Sequence, residues 1–242
     1  MAPPELRTYR TRMAREGLVA FRVAVQQTDL LILAARDLSL LARQTAVQER
    51  SRLESYIAAH PDFLSTLTPW PEDPFAPPVV REMVAAARVA GVGPMAAVAG
   101  ALAERVGRAL LAASPEVIVE NGGDVFLALT RPATVALYAG ASPLSRRVGL
   151  RIADEDTPLG VCTSSGTVGH SLSFGRADAA CVVAPTAALA DALATALANR
   201  VRDPGDIDPA LAWLADIPQA LGAVVVVGKA LGAWGRVELV PL

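Results

Sequence analysis

The side chains best suited to chemistry in this 242-residue sequence gather in three short stretches of its second half. In "ENGGDVF" (120–126) the polar Asn121 and Asp124 flank Gly122-Gly123. Adjacent glycines let backbone N–H groups approach a ligand, and they also form a preferred hairpin turn, so one stretch can serve both roles. "CTSSGTVGHSLSFG" (162–175) holds six hydroxyl side chains, three glycines and His170, one of only two histidines. Hydroxyls, an imidazole and backbone amides together suit a polar, phosphate-bearing ligand. Cys162 and His170 alternatively offer the nucleophile and base of a thiol enzyme acting on an unrelated metabolite. In "ADALAT" (190–195), Asp191 and Thr195 stand four apart and share one face of a helix. A carboxylate and a hydroxyl one turn apart suit a hard cation such as Mg²⁺, which completes its shell with water and phosphate oxygens. Asp191 lies well past the proposed cap at Thr186, so capping of its own helix does not explain it. A solvated aspartate on the back of the helix is the competing reading.

A fourth stretch, "GVGPMA" (91–96), has the G-x-G-x-x-A spacing of a dinucleotide turn. That turn needs a strand before it, and "VVREMVAAARVA" reads as helix, so a plain helix–helix turn is the better reading.

The elements that must position these residues follow from periodicity and punctuation. Residues 17–35 read as a hairpin broken near Gln26-Gln27-Thr28-Asp29, and 37–59 as a helix ended by His60-Pro61. The proline-rich "LTPWPEDPFAPP" (67–78) reads as a surface connection and a subdomain boundary within one domain spanning 1–242. Helices are expected at 79–90 and 94–113, the second with small-residue faces that admit a close neighbour. Strands are expected at 116–120, 124–129, 134–140, 147–153, 159–163 and 179–184. Thr186 caps a helix running to about Val201, and a short helix near 209–215 precedes strands at 222–228 and 235–240. Short-turn strands with helices grouped in blocks indicate an α+β fold with an antiparallel sheet.

Composition narrows the classes. Hydrophobic residues make up 52% and charged residues 19%, enough apolar material for a buried core. The net charge of −2 and the absence of a basic stripe argue against a nucleic-acid partner. The apolar run Val89 to Ala103 is too short to span a bilayer, and the start of the sequence lacks the apolar core of a signal peptide. A cytoplasmic protein with two reduced thiols, Cys162 and Cys181, is expected.

Taken in order, Asn121-Gly122-Gly123-Asp124, then Ser165-Gly166 followed by His170, then Ala190-Asp191 with Thr195, resemble the ApbE family of FAD:protein FMN transferases. The stretches "VGPMAAVAGA", "VENGGD", "CTSSGTVGHSLSFG" and "ADALAT" are most similar to a shorter ApbE-like branch. The resemblance implies a Mg²⁺-dependent enzyme acting on FAD or a related nucleotide pyrophosphate, by FMN transfer to a protein hydroxyl or by FAD hydrolysis. It implies metal ligands at Asp191, Thr195 and the backbone carbonyl near Ala96, and catalytic roles for Asp191 and His170. It places Asn121, Gly122, Gly123 and Asp124 along the flavin pocket, with Ser165, Gly166 and His170 beside it. The implied partners are a flavin or other phosphorylated small molecule and an acceptor protein; the oligomeric state stays open, a homodimer included. Two family features are absent: Pro94-Met95 replace a Lys-Gly motif, and "SFGRA" replaces a D-P-x-T-G turn. A non-catalytic flavin or nucleotide carrier is the second reading.

Overall fold

A computed structural model describes residues 10, 13–168 and 174–242. Along the chain, β1 (Val19–Val25) and β2 (Thr28–Ala34) form the expected hairpin, with Gln26 in the left-handed region at φ 51°. Helix α1 (Ser39–Ala59) ends at His60-Pro61, and α2 (Pro78–Ala90) starts on the last proline of the connection. A single 3-10 turn, Pro94–Ala97, leads into α3 (Val98–Leu110). Strands β3 (Val117–Asn121), β4 (Asp124–Ala128), β5 (Ala133–Ala136), β6 (Val148–Ile152), β7 (Leu159–Ser164) and β8 (Ala179–Ala184) follow. The chain closes with α4 (Ala187–Ala198), α5 (Ile207–Ala215), β9 (Gly222–Val227), β10 (Ala230–Gly235) and β11 (Glu238–Pro241).

Eight strands form one sheet in the order β1-β2-β3-β4-β7-β8-β9-β10, antiparallel at every pairing. The other three form a small antiparallel sheet in the order β11-β6-β5. The fold is α+β, as the sequence indicates. Among the described residues, the five helices cover one face of the large sheet and the small sheet covers the other. Strands buried on both faces need apolar residues at every position, and "AACVVA" shows why: Ala180, Val182 and Ala184 face the helices, while Ala179, Cys181 and Val183 face the small sheet. Wholly buried Phe63, Phe126, Leu193 and Leu197 anchor the helix side. Each contributes about 1.5–3 kcal/mol by leaving water. Among the described residues no single helix is long and apolar enough to cross a membrane.

Four expectations need correction. The helix expected over 94–113 breaks at Ala97, because the amides that would continue it are held elsewhere, and it stops at Leu110. The strand expected over 134–140 leaves its partner after Ala136. Strand β10 has no counterpart in the sequence reading; its "ALGAWG" has little β-branched content and is held by pairing with β9. The last strand lies at Glu238–Pro241 and joins the small sheet rather than running over 235–240.

Candidate functional site

The start of α3 is where the separated motifs meet. Its N-cap residue is Ala97, which has no side-chain acceptor, so the first-turn amides need partners from outside. Asp191 of α4 supplies one: the Gly100 N–H donates to Asp191 Oδ2 at 2.9 Å, and the Ala99 N–H also favours the ionised carboxylate. In an unbroken helix the Gly100 amide would bind the Ala96 carbonyl. The approach is too close for any side chain at position 100, where a Cβ would lie 2.2 Å from the Ala187 carbonyl oxygen.

The arrangement is reciprocal. Glu104 of α3 accepts the N–H of Ala187, the first residue of α4, through Oε2 at 2.6 Å, and its Oε1 pairs with Arg108 at 2.7 Å. Each helix thus places a carboxylate at the positive N-terminal end of the other. Thr186 caps α4 as expected, its hydroxyl accepting the Leu189 N–H at 3.3 Å. Glu104 is absent from the sequence reading. The signal that marks it is an acid inside a helix face made otherwise of Gly and Ala.

Asn121 joins the same place from the sheet. Its Nδ2 donates to the Ala99 carbonyl at 3.1 Å. Gly122 and Gly123 make the hairpin turn at φ 72° and 117°, and the Gly122 N–H is held by Glu120 Oε1 at 2.7 Å. The hairpin reading of this stretch holds; the Gly122 N–H is engaged by Glu120, and Asn121 reaches the helix start. Asp124 lies opposite Cys162 in the β4–β7 pairing. The 3-10 turn carrying Ala96 packs on α4, and Thr195 sits half-buried one turn beyond Asp191.

Electrostatics separate the groups. Burial pushes the Asp191 carboxyl up from 3.8 to about 7, against the opposing effect of the Gly100 and Ala99 amides. Burial also pushes the Cys162 thiol well above its ordinary value, and the nearby Asp124 and Asp191 carboxylates push it further. Cys162 Sγ donates to the Ala187 carbonyl at 3.3 Å. A nucleophilic cysteine needs the opposite surroundings, exposed and electropositive, so the thiol-enzyme reading is corrected: Cys162 is a core thiol. Cys181, raised by burial to about 11, lies on the other face of the sheet.

The hydroxyl-rich stretch has a strand start and a tethered loop. Cys162, Thr163 and Ser164 belong to β7. The Ser165 hydroxyl accepts the N–H groups of Thr167 at 3.1 Å and Val168 at 3.0 Å, and Thr167 Oγ1 donates to Asp178 at 2.9 Å. At the far end the Phe174 N–H donates to Asn199 Oδ1 at 2.8 Å. Gly166 and Gly175 allow the two ends to cross: a Cβ at 166 would lie 2.2 Å from the Gly175 carbonyl oxygen, and one at 175 would lie 1.8 Å from that of Ala198. Gly166 and Gly175 thus answer to close packing over the end of α4, and Ser165 to the turn that follows β7. His170 lies outside the described residues.

Among the described residues no group of three His, Cys, Asp or Glu side chains is placed to hold a metal ion. The ligands expected from the sequence, Asp191, Thr195 and the Ala96 carbonyl, are of another kind, all oxygen: one carboxylate, one hydroxyl and one main-chain carbonyl. The observation that fits a cation is Asp191 itself, a buried carboxylate met by amides and by no cationic side chain among the described residues.

A family model described as AbpE bacteria matches residues 10–231. A UPF0280 protein of Methanocella arvoryzae is 44% identical over 213 residues, spanning 88% of this chain and 86% of its own. Another from Methanocaldococcus jannaschii is 41% identical over 226 residues, spanning 90% and 92%. Among solved structures, the flavin transferase ApbE from Vibrio cholerae matches with a TM-score of 0.58 at 13% identity, covering 90% of this chain and 96% of its own. The ApbE protein of Thermotoga maritima matches at 0.56 and 13%, covering 89% and 96%. At that identity the likeness is one of fold.

Proposed function

This chain belongs to the family described as AbpE bacteria, and from that membership and the site at the start of α3 we propose a Mg²⁺-dependent enzyme acting on FAD or a related nucleotide pyrophosphate. The reaction is transfer of FMN to a protein hydroxyl, or hydrolysis of FAD to FMN and AMP. The observation that carries the reading is the convergence of Asp191 and Asn121, from two distant parts of the chain, on the junction of the Pro94–Ala97 turn and α3. Named solved structures of this fold include a flavin transferase, which supports the substrate class.

In this proposal Asp191, the Thr195 hydroxyl and the Ala96 carbonyl hold Mg²⁺, which when bound supplies neutralising charge to a pyrophosphate. Asn121, with Gly122, Gly123 and Asp124, lines the flavin side of the cleft. Ser165 and Gly166 hold the entry of the loop that carries His170, which serves as the acid–base group. The absence of the Lys-Gly motif leaves Pro94-Met95 without an ammonium at this turn, and that departure favours the carrier as the second reading.

Incubation of the purified protein with FAD and Mg²⁺, followed by nucleotide separation, tests the proposal. AMP should appear, and EDTA or Asp191→Ala should abolish it. Tight FAD binding without AMP would replace the enzyme by the carrier. The absence of both FAD binding and AMP would refute the flavin reading.

A further inference from the structure

A second cavity lies on the other side of the large sheet, in the connection between β5 and β6. It is broad and shallow, about 440 Å³, and its lining includes Tyr138, Gly140, Ser142, Ser145, Arg146 and Arg147. Among the described residues no acidic side chain lines it. Among the described residues neither guanidinium has a hydrogen bond or ion pair; Arg146 instead lies over the Tyr138 ring, 4.9 Å from its centre. Two cations lining one cavity without a carboxylate leave its positive charge uncompensated, and a divalent anion in the cavity would neutralise it.

The surrounding chain is built to hold this shape. Arg146 sits in the left-handed region at φ 59°, uncommon for a residue with a side chain, and its N–H is tied to the Leu137 carbonyl at 2.7 Å. Ser142 Oγ donates to the Gly228 carbonyl at 2.6 Å and accepts the Leu144 N–H at 3.1 Å. Ser145 Oγ accepts the Ala139 N–H at 3.0 Å, so its own O–H is available to donate. Gly140 lies against Val168, which joins the rim of this cavity to the tethered loop.

We propose that this cavity binds the phosphate group of a phosphorylated small molecule, with Arg146, Arg147 and Ser145 as donors. Planar guanidinium forks and a hydroxyl match the several acceptor oxygens of a phosphate. The site is distinct from the one at Asp191, since β5 and β6 cover the opposite face of the sheet from the helices.

Glycerol 3-phosphate and inorganic phosphate are the probes, with glycerol as the uncharged control, followed by calorimetric titration at low ionic strength. Both phosphates should bind and glycerol should not. Arg146→Gly removes the guanidinium and relieves the left-handed strain, so it should keep or raise the melting temperature while weakening phosphate binding at least tenfold. Arg147→Gln, at an exposed position, should weaken it similarly. Asp191→Ala and Arg81→Gln should leave it unchanged, which separates this site from the cleft proposed for FAD. Absence of phosphate binding to the parent, unchanged affinity in both cavity variants, or an equal loss in Arg81→Gln would overturn the proposal.

Discussion

Replacing Asp191 by asparagine keeps the shape of the side chain and an oxygen for the Gly100 amide while removing the buried charge. The carboxyl titrates near 7 in the folded chain, against an ordinary 3.8. Between those values the native state keeps a proton that the unfolded state has released, so stability falls as pH rises through that window and the full cost is present above it. At about 1.4 kcal/mol per pH unit, the ionised carboxylate costs the metal-free protein roughly 4 kcal/mol at pH 8. Asp191→Asn should therefore be more stable than the parent by about that amount at pH 8 in EDTA, and no different at pH 4 or below. For a chain of this size the gap is on the order of 10 °C in melting temperature. Mg²⁺ should narrow the gap, stabilising the parent by about 2.7 kcal/mol at a hundred times its dissociation constant and leaving the variant where it was. Thermal unfolding across pH 4–8, with EDTA or Mg²⁺, reads all of this. Parallel pH curves for parent and variant in EDTA would refute the burial argument, and an equal Mg²⁺ effect on both would remove Asp191 from the metal site.

Other perturbations test the surrounding structure. Gly100→Ala places a methyl group 2.2 Å from the Ala187 carbonyl oxygen and should cost about 3 kcal/mol in urea unfolding; a loss under about 0.5 would mean that α3 and α4 separate freely. Glu104→Ala leaves the Ala187 N–H and Arg108 without their partner and should cost about 1–2 kcal/mol, while Glu104→Gln keeps the amide contact and should cost less. Cys162 and Cys181 should resist iodoacetamide in the native protein and react fully in denaturant; rapid native labelling of Cys162 would contradict its burial.

What the sequence made legible was local and periodic. The Gln26-Gln27 hairpin, the His60-Pro61 helix stop, the buried strand at 179–184 and the Thr186 cap each depend on a few adjacent residues, and each stands where expected. The spacing of Asp191 and Thr195 placed both on one helical face, but spacing says nothing of what that face meets. That Asp191 meets the amides of α3 depends on a contact across ninety-one positions. The same limit hid the break at Ala97, since its cause lies in α4, and it hid β10, which pairs through a tight turn at Gly228-Lys229 despite weak strand propensity. Gly166 and Gly175 serve a crossing of two backbones that no local pattern announces.

The exchange of carboxylates between α3 and α4 also bears on how the protein is made. During synthesis, α3 leaves the ribosome with its first-turn amides open to water, because Asp191 follows Gly100 by ninety-one residues. At 5–20 residues per second the partner arrives about 5–18 seconds later. Such distant pairings raise the contact order and put the closing of the helix layer late in folding. A nascent or truncated chain that stops short of α4 holds the glycine hairpin and the small-residue helix but not the junction between them. The site is therefore assembled only after α4 has been made, and its presence reports that the chain has been extended through that helix.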